Sequence, residues 1–144
     1  MKIFAFVALA VILSTGSVMA KRPQVLPEQM LINLYALTEA SAALQICADS
    51  PSYEHLTPNN QTQLKRLQSN IESLVKKIAR KYDEDLFSFF VHTRNEIAVR
   101  PDKVEEIRTR YEYCGNGLFE QMKRYVYDSR QKLDYFLSQQ PNAR

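Results

Sequence analysis

Leu64, Leu67, Ile71, Leu74 and Ile78 recur at steps of three, four, three and four, and no other feature of the chain limits its fold so tightly. The spacing follows the helical repeat of about 3.6 residues and sets all five side chains on one face. A half-buried strand would need alternation at every second residue, which this stretch lacks. A helix with one apolar stripe needs other helices to cover it. Thr57 offers a capping hydroxyl and Pro58 a first-turn proline, so the pattern predicts a helix over about Pro58 to Lys81.

The flanking sequence supplies those partners. A helix is expected from Pro27–Glu28 to Ala48, stopped by Asp49-Ser50-Pro51. It carries one stripe of Met30, Leu34, Leu37 and Leu44 and a neighbouring seam of small residues, Ala36, Ala40, Ala43 and Cys47. A third helix, capped by Asp83, carries Leu86, Phe87, Phe90, Ile97 and Ala98 up to the Arg100-Pro101 step. A fourth carries Val104, Ile107, Tyr111 and Cys114, and a last one Leu118, Met122, Tyr125, Val126, Leu133, Phe136 and Leu137. The expected fold is all-α: an antiparallel bundle of four to five helices.

The first twenty residues have Lys2, an apolar run from Ile3 to Leu13, and Val18 and Ala20 at the positions before a cleavage site. This is the pattern of a secretory signal peptide, and the run is short of the roughly 20 residues that span a bilayer. Residues 1–20 are read as the signal and 21–144 as one helical-bundle domain, periplasmic or secreted. The mature chain loses one lysine and no acid, leaving 18 basic against 16 acidic residues. So mild a balance implies no nucleic-acid partner. In an oxidising compartment the only two cysteines, Cys47 and Cys114, are expected to bridge.

Such a bridge bears on the stretch around Gly115 and Gly117. Leu118 is in phase with Cys114, so one helix running through the glycines would cost only about 1 kcal/mol per glycine. Cys47, however, ends the first helix, and a bridged Cys114 belongs at the same end of the bundle. A turn is therefore favoured, with Gly115 as the left-handed stop and Asn116 as the cap of the last helix. Free amides at such a turn, with Arg110 nearby, make Gly115, Asn116, Gly117 and Arg110 a candidate anion site.

Catalytic patterns are missing. The chain has no Gly-x-Ser-x-Gly elbow and no phosphate-binding loop, and a bridged Cys114 is no nucleophile. His92 and Glu96 share a helical face and would form half a metal site, but no second cluster accompanies them. No Cys-x-x-Cys-His motif occurs, which excludes covalently attached c-type haem. His92 with Met30 or Met122 is the remaining chemical route to a haem. The expectation is no enzyme, no metal and no cofactor.

Two surfaces and a set of tyrosines suggest binding. The second helix sets Lys65, Arg66, Lys76, Lys77, Arg80 and Lys81 against one acid, Glu72, before Asp83-Glu84-Asp85. This face suits peripheral contact with an anionic membrane or an acidic partner. In the third helix one stripe cannot take Leu86, Phe87, Phe89, Phe90 and Val91 together. Either that helix is enclosed on several sides, or Phe89, with Phe87 beside it, offers an aromatic patch to a protein partner. Tyr113 and Tyr127 fall off the stripe that holds Tyr111 and Tyr125 and are further contact candidates.

The type, a small exported helical protein with one disulfide, resembles periplasmic pilotins and acid-stress chaperones in general architecture only, and no residue carries over. The sequence thus points to a non-catalytic interaction protein: an envelope adaptor, assembly factor or chaperone-like module. The alternative is a small-ligand carrier holding haem, lipid or an anion in or at the end of the bundle.

Overall fold

Apolar or small side chains run most of the way round the first helix, and this fixes its place at the centre of the bundle. The computed structural model describes residues 25–139, so the signal segment at 1–20 lies outside the described residues. Helix α1 (Glu28–Asp49) is followed by a 3-10 turn (Pro51–His55), α2 (Pro58–Lys81), α3 (Asp85–Ala98), α4 (Pro101–Tyr111) and α5 (Asn116–Gln139), with no strand among the described residues. α1 packs on all four other helices. By length and a mean hydropathy of 1.2 it could cross a bilayer, but 67% of that stretch is buried inside the bundle, as in a core helix.

Each boundary has a local cause. Thr57 caps α2 by accepting the Asn60 N–H at 3.1 Å, with Pro58 as the first helical residue. The Asp83 carboxylate accepts the Asp85 N–H at 3.0 Å where α3 begins. Pro101 ends the helical run before it, because Arg100 is held extended. α3 and α4 therefore form one broken ascending arm between the descending α2 and α5. Lys103, at the foot of α4, reaches Glu39 on α1 at 3.4 Å. α3 must then lie alongside the part of α1 that precedes Glu39.

The core is the expected stripe set. Leu64, Leu67, Ile71, Leu74 and Ile78 are all buried, together with Met30, Leu34, Leu37, Leu44, Leu118, Met122, Val126 and Leu133. Polar groups join α1 to its neighbours. Ser41 Oγ donates to Gln68 Oε1 at 2.6 Å while Gln68 Nε2 donates to the Ser41 carbonyl at 3.1 Å, a two-way clasp between α1 and α2. Toward α5, buried Ser129 donates to Asn33 Oδ1 at 3.5 Å.

Cys47 and Cys114 form the expected disulfide, both buried, with α-carbons 5.3 Å apart. The turn is also present, but its residue roles differ from expectation. α4 stops at Tyr111, and the left-handed residues are Glu112 (φ 49°) and Tyr113 (φ 60°), whereas Gly115 has no positive φ. The reason lies in how the chain closes: the Tyr113 N–H reaches back to the Ile107 carbonyl at 3.2 Å, which demands the left-handed bend three residues earlier than Gly115. Gly115 is needed for room instead, since a Cβ there would lie 2.5 Å from the Tyr111 oxygen. Asn116 is the first residue of α5 rather than its cap, and the Gly115 carbonyl accepts the Leu118 N–H at 3.0 Å.

Candidate functional site

Only Phe90 of α3 is fully buried, so the third helix is not enclosed on several sides. Phe90 anchors it, with the Phe87 ring 5.8 Å away and the Arg94 guanidinium over its face at 5.6 Å. Arg94 in turn bonds Glu72 of α2 at 3.1 Å. Phe87 is half-buried on the α2 flank, where the Lys76 ammonium sits 5.2 Å from its ring centre. Phe89 is two residues on, about 200° around the helix, and so projects from the opposite flank. It is 48% exposed.

α3 also packs against α1. Leu31, Ile32 and Tyr35, spaced as neighbours on one helical face, are 39%, 48% and 52% exposed. They lie in the half of α1 that α3 runs beside. Sequence reasoning passed over these three. Their signal was the same as that of Phe89: each is large and apolar, and none falls on the Met30–Leu34–Leu37–Leu44 stripe.

The other candidates are dispersed. Tyr113 is half-buried in the turn, and Tyr127 is 60% exposed on α5, where its hydroxyl accepts from Gln131 Nε2 at 2.8 Å. At the turn, the Gly115 N–H already donates to the Tyr111 carbonyl at 2.9 Å. Arg110 bonds Glu106 at 3.2 Å and covers the Tyr111 ring. Two of the four groups assigned to an anion are thus occupied, leaving Asn116 and Gly117 at the α5 start.

His92 lies on the solvent side of α3, 2.8 Å from Glu96, while Met30 and Met122 are in the core. The fold does not bring these three together around a haem. Among the described residues no group of three or more His, Cys, Asp or Glu side chains is placed to hold a metal. A crevice between α1, α4 and α5 has a floor of Ala36, Ala40 and Ala43 and a volume of about 90 Å³. Lys103 sits on its rim. Burial works to lower that ammonium's pKa, and the Glu106 and Glu39 carboxylates outweigh the burial and hold it above its ordinary value.

The basic side chains of α2 are where the stripe predicts. Lys65, Arg66, Lys76, Lys77 and Arg80 are all exposed, opposite the buried Ile71. Glu72 lies at the edge of that face and is drawn to Arg94. No protein family, curated protein or solved structure matches the chain.

Proposed function

We propose that the chain is a non-catalytic, exported interaction protein of the cell envelope, an adaptor, assembly factor or chaperone-like module. Its partner is a protein that docks where α3 lies beside the first half of α1. The observation that carries this reading is the exposure, on adjoining helices, of Phe89, Leu31, Ile32 and Tyr35. Large apolar side chains left in water on helices that pack together are the usual mark of a contact surface. The paired cysteines and the apolar N-terminal run support export. The carrier alternative draws on crevices of about 90 Å³ between α1, α4 and α5 and about 170 Å³ between α2 and α3, whereas small-molecule sites run to several hundred Å³.

The test is site-specific photo-crosslinking from position 89 in the envelope fraction, with the adduct identified by mass. One defined protein is expected. Ile32→Ser with Tyr35→Ser should lower its yield at least tenfold, and Tyr127→Ser on α5 should not. Equal yields from all three proteins, each shown to be folded, would overturn the docking surface.

A further inference from the structure

The outer face of α2 carries a second surface of different chemistry. Taking Ile71 as the centre of the buried side, Lys65, Lys76, Arg80, Arg66 and Lys77 fall within an arc of about 120° on the far side. Thr62, Ser69 and Ser73 share the arc and no acid of α2 lies within it, while Glu84 past the end of the helix lines a crevice with Lys76 and Arg80. All eight residues of the arc are exposed. Lys65, Arg66 and Lys77 have no ion-pair partner among the described residues, and Lys76 rests on the Phe87 ring. Charges along α4 and at the start of α5 are paired on their own helix, as in Arg108–Glu105, Arg110–Glu106 and Lys123–Glu120.

We infer that this face docks the protein on an anionic lipid bilayer. The charges extend about 22 Å along the helix, from Lys65 to Arg80. The short hydroxyl side chains between them let the helix backbone approach a plane closely. The surface is convex. Binding of single-stranded nucleic acid uses aromatic platforms in a basic groove, and this arc contains no aromatic residue. A protein cleft would call for shape, while a row of ammonium and guanidinium groups on a convex ridge matches a flat field of phosphates. The aromatic patch of Phe89 lies on the flank of α3 away from α2, so the two surfaces can be filled at once.

The experiment is sedimentation of the purified protein with two kinds of vesicle: phosphatidylcholine alone, and phosphatidylcholine with a quarter phosphatidylglycerol. Binding to the anionic vesicles alone is expected, and it should be lost on going from about 0.1 M to about 1 M salt, where the screening length falls from ~10 to ~3 Å. Lys65→Gln, Arg66→Gln and Lys77→Gln together should weaken that binding about 100-fold. Lys123→Gln, Arg124→Gln and Arg130→Gln on α5 remove the same net charge and should leave it within a few-fold. These are exposed side chains, so circular dichroism should show both triple variants folded. Equal loss in the two variants would make net charge the cause and overturn the assignment of α2. Binding to heparin or duplex DNA with none to anionic vesicles would overturn the bilayer, as would no binding at all.

Discussion

Gly115 donates its N–H to the Tyr111 carbonyl at 2.9 Å, and that oxygen occupies the space a side chain on Gly115 would need, 2.5 Å from an ideal Cβ. The turn before the last helix therefore depends on glycine for close approach, with the left-handed backbone falling on Glu112 and Tyr113. Gly115→Ala should destabilise the protein by about 2 kcal/mol, because backbone rather than a movable side chain is in the way. Glu112→Gly should act in the opposite direction. Glu112 is exposed, and a non-glycine residue in this conformation costs roughly 1–2 kcal/mol, against up to about 1 kcal/mol for the extra freedom of glycine in the unfolded chain. Urea unfolding of the two variants should show midpoints on either side of the parent.

That turn also marks how far the sequence could be read. The stripe from Leu64 to Ile78 and the stops at Pro51 and Pro101 define helices by local chemistry, and all are found where expected. The bridge placed Cys114 at the Cys47 end without any knowledge of packing. Which residue turns left-handed is set instead by a hydrogen bond from Tyr113 back to Ile107, and residue type gives no hint of it. The exposure of Leu31, Ile32 and Tyr35 depends on which sectors of α1 the broken α3–α4 arm covers. Periodicity ranks faces by hydrophobicity but does not count the neighbours available to cover them.

The disulfide should be a major part of the stability. It closes a loop with a sequence separation of 67, for which the chain-entropy relation gives about 4 kcal/mol. Cys47→Ala with Cys114→Ala should therefore lower the denaturant midpoint strongly while leaving a helical spectrum. Amide exchange should rise first over 112–118, because that segment contains the two left-handed residues and is no longer tied to α1. A double variant as stable as the parent would show that the turn holds without the bond.

Tyr82 closes α2 and is buried, yet its hydroxyl has no hydrogen-bond partner among the described residues. Tyr82→Phe should raise stability by about 1 kcal/mol by removing that desolvated group. Burial also pushes the Tyr82 pKa above its ordinary 10.0, so the native state keeps a proton that the unfolded chain gives up. The unfolded state then binds fewer protons, and stability falls as pH rises through the unfolded value. The parent should thus lose ground to the Tyr82→Phe variant above about pH 10, with the gap constant below it. A gap that stays constant into alkali would mean that the native hydroxyl is hydrated.

Phe89 and Phe90 are adjacent in sequence and opposite in environment, one 48% exposed and the other fully buried. Phe90 packs on Phe87 and under Arg94, so Phe90→Ala removes a ring from a closed site and should cost about 3–5 kcal/mol. Phe89→Ser removes a ring that half faces water and should cost about 2 kcal/mol or less, since only about half of its apolar area is buried. Stability and partner yield should then separate: Phe90→Ala lowers the amount of folded protein, while Phe89→Ser keeps the fold and loses the cross-linked partner. A Phe89→Ser protein that unfolds as readily as Phe90→Ala would place Phe89 in the core and remove the main support for the α3 docking surface.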